Sequence, residues 1–275
     1  MIDRETYDLI KRKLRDFKFN SLEYTEYESI ADYDIAKEDE EGLILFGKQE
    51  ETGKFEVHWA TNQVEILTEQ VSKSGNDILV TFLPFEWRDY LVSQGFYEYG
   101  FLREYWIEQI NKVDTEGIQI KYLGENRERE ASEVTYSCQW QSREFRGESE
   151  EWVKQWLNGT CPDASNCSKT NILVQEEAGV LSGIVCVGIY GENSVRGKVV
   201  WVRELAVNPK FQGKGIGQKL ILQAIAYGKE QGAVRSFLMA DELNEPAKHV
   251  YKKIGYVGSQ TEIQLDMIYG KSPEE

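Results

Sequence analysis

Two histidines, four cysteines and no long apolar run leave this 275-residue chain with few of the usual chemical handles. The longest apolar stretch, Gly183 to Tyr190, is strand-sized and far short of the roughly 18 residues of a membrane span. The opening residues MIDRETYDLIKRKLRDF carry acidic side chains from Asp3 onward and hold no apolar core of signal-peptide length. Cys138, Cys161, Cys167 and Cys186 are too few for a disulfide framework, and no His stands near Cys161 and Cys167 to give zinc spacing. The expectation is reduced thiols, a cytoplasmic location and no metal. Basic residues are also scarce, 32 against 47 acids for a net charge of −15. Nucleic acid and anionic membranes are poor partners for such a chain, because phosphate contacts need clustered Lys and Arg. Acidity suits a cationic substrate, or solubility alone.

What is present is core material. Hydrophobic residues make up 41% and aromatics 12%, with 7 Trp and 15 Tyr, which excludes wholesale disorder. The length suits one large domain or two modest ones. The charge is unevenly spread: residues 170–275 carry 12 bases and 12 acids, so the whole excess lies in residues 1–169, with 20 bases against 35 acids. Glu23–Glu51 alone holds 11 acids with only Lys37 and Lys48.

Periodicity predicts an amphipathic helix over Asp3–Phe17, strands at Gly42–Lys48 and Phe55–Ala60 around the turn Glu51-Thr52-Gly53, a helix at Gln63–Ser72 and a strand at Ile78–Leu83. A short helix Glu86–Ser93 ends at Gly95, and Phe96–Ile110 returns as one or two aromatic-rich strands. Polar residues at Asn111–Gly117 mark a boundary. Beyond it come a strand Ile118–Leu123, a helical stretch in Glu125–Ser142, a helix Glu148–Leu157 and a polar loop Thr160–Thr170. A hairpin around Ala178-Gly179 joins Ile172–Glu176 to Val180–Tyr190. Val199–Val207 is a β-branched strand, Gln218–Lys229 a helix, Ser236–Ala240 a strand, Pro246–Lys253 a helix, and Tyr256 to Tyr269 two closing strands.

The sharpest motif is Leu205-Ala206-Val207-Asn208-Pro209-Lys210-Phe211-Gln212-Gly213-Lys214-Gly215-Ile216-Gly217. Pro209 ends the strand, since it cannot donate to a ladder. Three glycines at alternating positions allow positive φ and close approach of a ligand, and a helix follows at once. Free N–H groups and the positive end of the helix dipole make this an anion site. Six bases and two acids lie between Lys198 and Glu230, which fits. The spacing is neither the Rossmann G-x-G-x-x-G nor a P-loop, and the same glycines would also serve a tight turn with no ligand.

The pattern Gln212-x-x-Gly215-x-Gly217 after Leu205-Ala206-Val207 resembles motif A of the GNAT acetyltransferase superfamily. Asn244, Ala247, Tyr251 and Gly255-Tyr256 resemble its second landmark, with Tyr256 where Phe is usual. The resemblance covers about Ile118 to Tyr269. It implies an α/β (α+β) GNAT fold, a mixed, mostly antiparallel sheet flanked by helices, with acetyl-CoA as co-substrate. Leu205 and Val207 would bind the pantetheine arm by backbone hydrogen bonds. Gln212, Gly213, Lys214, Gly215, Ile216 and Gly217 would cradle the pyrophosphate, and Asn244 would contact the CoA arm. Tyr251 would protonate the leaving thiolate; without the resemblance it reads as a core Tyr of an amphipathic helix.

Acetyl transfer to an amine also needs a base, and a carboxylate suits it. Glu204 is the first choice, with Asp241 and Glu242 next; a salt-bridge or substrate-contact role for Glu204 stays open. His58 and His249 read as structural or exposed. Strand parity places Glu204 and Ala206 on one face and Arg203, Leu205 and Val207 on the other, an assignment that a bulge would invert. No cysteine occupies a motif position, so transfer is expected to be direct. The acceptor would be a primary amine of a small molecule or peptide. The alternative is a non-catalytic acyl-CoA-binding sensor or assembly module, and a longer acyl chain is chemically close.

An earlier segment repeats the ending of the motif helix. Aligning Gly95-Phe96 with Gly255-Tyr256 sets Pro84 opposite Asn244, Trp87 opposite Ala247 and Leu91 opposite Tyr251, and no glycine stands between Gly53 and Gly75. Residues 1–115 are expected to form a degenerate GNAT-like domain without CoA, with an unrelated α/β domain as the alternative, and residues 116–275 the catalytic one.

Overall fold

The computed structural model describes residues 2–49, 53–75, 77–139, 141–142 and 145–270, without the side chains of residues 261 and 262. In chain order the elements are α1 (Arg4–Lys13), α2 (Tyr27–Ile30), β1 (Asp34–Glu38), β2 (Gly42–Lys48), β3 (Phe55–Thr61), α3 (Val64–Ser74), β4 (Ile78–Leu83), α4 (Arg88–Ser93) and β5 (Phe96–Ile107). Then come α5 (Glu128–Tyr136), α6 (Glu150–Asn158), β6 (Cys167–Glu177), β7 (Val180–Tyr190), β8 (Val199–Val207), α7 (Ile216–Glu230), β9 (Arg235–Asp241), α8 (Glu245–Ile254) and β10 (Val257–Tyr269). The chain separates into two compact units, Met1–Leu102 with Ile263–Glu275, and Arg103–Glu262; the expected cut after residue 115 falls inside the second.

The first unit has strand order β1-β2-β3-β4-β10. β1–β2 and β2–β3 are antiparallel, α3 carries the chain over to a parallel β4, and β10 is antiparallel to β4. Trp59, Leu67, Val71, Val80, Trp87 and Leu91 pack α3 and α4 on one face of the sheet. Ile10 and Leu14 pack α1 and its following turn against Leu43, Leu45 and Ala60. The α1 helix starts where the Asp3 carboxylate accepts from Thr6 N–H at 2.8 Å, and ends on Lys11, Arg12 and Lys13, which favour the negative end of its dipole.

The second unit has order β5-β9-β8-β7-β6. β6–β7 and β7–β8 are antiparallel, and α7 crosses to a parallel β9. The hairpin between β6 and β7 turns at Ala178 (φ 52) and Gly179 (φ 80), the two positive values that a two-residue turn of matching twist requires. Val185, Val187, Val200, Leu220, Ile221 and Ala224 build the core under α7 and α8. Val134, Val153, Trp156, Ile172, Ile184 and Ala206 build the opposite one under α5 and α6. This is a mixed α/β GNAT-like fold, a mostly antiparallel sheet flanked by helices.

Several expectations are corrected. Ile118–Leu123 is not a strand: only Tyr122↔Leu173 bridges, because Lys121 N–H goes to Gln223 Oε1 (2.8 Å) while Leu123 N–H goes to Ile172 O (2.9 Å). Tyr256 to Tyr269 holds one strand, not two. At Gly258, inside this strand, a Cβ would lie 2.8 Å from Arg103 Cδ. The polar loop ends early, as β6 already pairs at Cys167↔Tyr190. The acidic run hides β1, a charged edge strand with no buried face to betray it. The turn residues Glu51 and Thr52 lie outside the described residues.

Candidate functional site

The second unit's sheet opens at its centre. The parallel ladder between β8 and β9 runs from Val199↔Arg235 to Val202↔Leu238 and stops, while β8 continues to Val207 and β9 to Asp241. On the other side β8 stays paired with β7 up to Gly183↔Val207. Asn208 N–H donates to Ser182 O at 3.0 Å. Alternation along an antiparallel pair then turns the backbone groups of Glu204 and Ala206 toward β7, and those of Leu205 and Val207 away from it, into the opening. The Val207 carbonyl accepts from Gln212 Nε2 (2.9 Å) and Cys138 Sγ (3.2 Å). Leu205 N–H and C=O and Val207 N–H face the gap. A peptide-like arm bearing amides can pair with such groups as a strand would.

The glycine turn stands at the top of that gap. Gly213 and Gly215 have φ of 76° and 75°, and a Cβ at either would meet nothing within 4 Å, so backbone conformation and not crowding calls for glycine there. Gly215 caps α7 without any side-chain bond, leaving the first-turn N–H groups of a 15-residue helix directed outward. Gly217 differs: it lies inside the helix, and a Cβ would make only an ordinary 3.8 Å contact with Val207 Cγ2. Among the described residues no contact requires glycine at 217. Ile216 is buried in the core under the turn. The Lys214 ammonium sits 5.1 Å from the Phe211 ring centroid. Gln212 bonds Gln141 Oε1 (2.7 Å) as well as Val207, so its side chain braces the turn. Past the turn, Gln218, Leu222, Lys253 and Ile254 line an open groove of about 700 Å³.

Asn244 is the N-cap of α8, its Oδ1 accepting from Ala247 N–H at 3.2 Å. Tyr251, about two turns along, is 7% exposed. It lies against Tyr105 and Tyr256, with ring centroids 6.3 and 6.0 Å away. Its hydroxyl makes no hydrogen bond among the described residues. Burial holds that proton on well above the usual phenol range, with the Tyr256, Glu204 and Tyr105 charges adding to it.

The bulge changes the faces of β8. Cys186 opposes Glu204 and Val187 opposes Val202, which leaves Arg203 as the extra residue. Val202, Leu205 and Val207 consequently share the core under α7, and Trp201 and Ala206 the core under α6. Arg203 is corrected to the Glu204 side. Its guanidinium pairs with Glu204, reaches Asp163 Oδ2 at 2.9 Å and Glu148 Oε1 at 3.8 Å, and lies 5.8 Å from the Trp152 ring centroid. Burial pushes the Glu204 carboxyl up to about 7; Arg203 partly offsets this and Glu148 adds to it. Of the second-choice carboxylates, Glu242 accepts from Tyr105 Oη (2.5 Å) and pairs with Arg103 (3.2 Å) and Lys248 (3.5 Å). Asp241 accepts from Leu243 N–H (2.9 Å) and Ser142 Oγ (3.3 Å). Both are committed to local structure. His249 is exposed, and His58 pairs with Glu56 in the first unit.

Cys138, Gln141 and Glu148 reach this site from a distant stretch of sequence, and no local pattern marked them. Among the described residues no cluster of metal-ligating side chains occurs, the four cysteines are free, and no helix is long and apolar enough to cross a membrane.

Comparison with known proteins gives these features a family. Residues 133–256 match the Acetyltransferase (GNAT) family model. A mycothiol acetyltransferase from Thermobifida fusca (strain YX) is 32% identical over 71 residues, 26% of this chain and 21% of the relative. A streptothricin acetyltransferase from Streptomyces lavendulae is 34% identical over 55 residues, 20% of this chain and 29% of the relative. The chain thus spans less than a third of either relative's length. A crystal structure of a GCN5-related N-acetyltransferase from Sphaerobacter thermophilus shares the fold, with TM-score 0.56 and 12% identity over 84% of this chain and 78% of that one. The segment that matches the GNAT acetyltransferase family model, residues 133–256, begins in α5 and closes at Tyr256, enclosing the divergent strands, the glycine turn and the Tyr251 helix.

Proposed function

We propose that the second unit is an acetyl-CoA-dependent N-acetyltransferase that moves the acetyl group directly to a primary amine. The observation that carries this reading is the gap beyond Val202↔Leu238, with Leu205 and Val207 facing it, the glycine turn above it, and Tyr251 and Glu204 buried beside it. Acetyl-CoA supplies a thioester whose acetyl carbon is the electrophile. Leu205 and Val207 hold the pantetheine amides, and the N–H groups of residues 213–217 take the pyrophosphate, with Lys214 adding charge. Gln212 keeps the turn in shape. Asn244, with its oxygen committed to capping, has its amide nitrogen for the CoA arm.

Glu204 accepts the proton that the acceptor nitrogen loses as it bonds to the acetyl carbon. A pKa of about 7 leaves it about half ionised at neutral pH, a useful state for a base. Arg203 keeps the carboxylate oriented. Tyr251 gives its proton to the departing sulfur, so that a thiol and not a thiolate leaves. Backbone N–H groups at the strand opening stabilise negative charge on the acetyl oxygen. Glu148 and Asp163 beside Arg203 give the base's surroundings acidic character, which supports a cationic acceptor drawn in by a field that salt screens. The two curated relatives are named for mycothiol and streptothricin, which favours a small-molecule amine over a peptide.

The first unit repeats the order of three strands, a helix, a parallel strand and a helix, and supports the reading of residues before the second unit as a degenerate GNAT-like domain. Incubating the chain with acetyl-CoA and a panel of primary amines, with products weighed by mass spectrometry, tests the function. An amine one acetyl group heavier supports it. Acetyl-CoA binding with no acetylated amine, across small and peptide acceptors, makes this chain a sensor or assembly module instead.

A further inference from the structure

The first unit's sheet diverges in the same way as the second's. β3 and β4 pair in parallel from Phe55↔Ile78 to Val57↔Val80, after which β3 runs on to Thr61 and β4 to Leu83. Here the Trp59 N–H and carbonyl and the Thr61 N–H that face the opening all have partners within the chain. Ser21 N–H donates to Trp59 O (2.8 Å), and Thr61 N–H donates to Phe19 O (3.1 Å). Trp59 N–H donates to Ser21 Oγ at 2.9 Å. Asn20 and Ala60 form the antiparallel bridge between these bonds. On the facing strand, the Trp59 indole N–H reaches across to Thr81 O (3.1 Å), and Phe82 N–H donates to Asp266 Oδ1 (2.8 Å).

The inserted segment is held at both ends. Lys18 N–H donates to Asn62 Oδ1 (2.6 Å) and Glu23 N–H to Asn20 Oδ1 (2.8 Å). Ser21 and Leu22 are wholly buried, Phe19 meets Trp87 edge-on at 5.1 Å, and His58 Nδ1 lies 3.4 Å from Ser21 Oγ. The connection from strand to helix differs too. Only Asn62 and Gln63 separate β3 from α3, whereas residues 208–215 separate β8 from α7. Two residues cannot form a turn that wraps a pyrophosphate.

We propose that Phe19–Ser21 is an intramolecular stand-in for the amide-bearing arm of an acyl-CoA, filling the first unit's strand opening and closing it to that ligand. Trp59 and Thr61 occupy the place that Leu205 and Val207 hold in the second unit, and the protein's own chain makes the bonds that a ligand would make there. The consequence is at most one acyl-CoA per chain. That the second unit supplies this one site rests on the function proposed above; the filling of the first opening does not.

Residue-resolved amide exchange and equilibrium dialysis with labelled acetyl-CoA, both on the full chain, test this. Trp59 and Thr61 amides are expected to exchange slowly in the free protein and to keep the same rate at saturating acetyl-CoA. Leu205 and Val207 amides are expected to be fast and to slow on binding. Ser21→Ala should speed Trp59 exchange about fivefold, the effect of one lost hydrogen bond. Dialysis should give one equivalent, falling to none in Gly217→Asp. Two equivalents, fast exchange at Trp59 and Thr61, or protection gained there with acetyl-CoA, would overturn the proposal. No binding at all, with Trp59 and Thr61 protected, sinks the function proposed for the second unit and leaves the filled opening standing.

Discussion

Glu204 should write its titration into the rate. Its carboxyl is pushed up to about 7 from the ordinary 4.5, by burial first, with Arg203 pulling back and Glu148 pushing further. A group with that pKa is ionised in about 1% of molecules at pH 5, about half at pH 7 and about nine-tenths at pH 8. If it is the base, kcat/KM climbs roughly 50-fold from pH 5 to 7 and then levels. The acceptor amine also titrates, so rates should be set against the concentration of neutral amine, which leaves the enzyme's own limb. Glu204→Gln should lose that limb and fall about 10²–10⁴-fold at pH 8. Stability carries the same group with a definite sign. Because the folded pKa is raised, the native state holds the proton more tightly than the unfolded chain does. Its stabilising share is complete below about pH 4.5 and is lost as pH rises through about 7. The difference is roughly 3 kcal/mol. Denaturant melts at pH 5 and pH 8 read it, and Glu204→Gln should flatten the dependence. A corrected rate profile flat between pH 5 and 8, or an unchanged limb in Glu204→Gln, would refute the assignment.

Other outcomes follow from the same geometry. Gly217→Ala should leave the melting temperature unchanged or raise it, since Ala is favoured over Gly in a helix by about 0.5–1 kcal/mol and its Cβ meets no obstacle. The same change should weaken acetyl-CoA binding in calorimetry, because the space it fills is the ligand's. Arg203→Met should move the acid limb of the rate profile to higher pH by removing the cation that offsets burial of Glu204. It should also destabilise the fold by about 3–5 kcal/mol, as one partner of a buried pair is left alone.

The second unit's candidate site is legible in the sequence where its elements are local. Leu205 to Gly217 carries strand end, glycines and helix start in one stretch, and Asn244 to Gly255 carries both caps of α8. What the sequence hid is long-range or depends on one inserted residue. The bulge at Arg203 shifts every later side chain on β8 by one face, and no residue type announces it. Glu148 and Cys138 act on β8 from segments more than fifty residues away, and only folding brings them near. Tyr256 to Tyr269 reads as two strands in the sequence but forms one, and the crowding of Gly258 by Arg103 inside it appears only on folding. The strand opening of the first unit was hidden for a related reason, since Phe19-Asn20-Ser21 pairs with Trp59 across forty residues with no periodic pattern of its own.

The most direct test of the central claim compares the wild-type chain with Tyr251→Phe in two assays, calorimetric binding of acetyl-CoA and amine-dependent release of free thiol. The account predicts equal affinity within about twofold and a kcat lower by about 10²–10⁴ in Tyr251→Phe, the loss expected when a positioned acid is removed. Thiol release at the wild-type rate in Tyr251→Phe, or no acetyl-CoA binding by the wild-type chain, would contradict it.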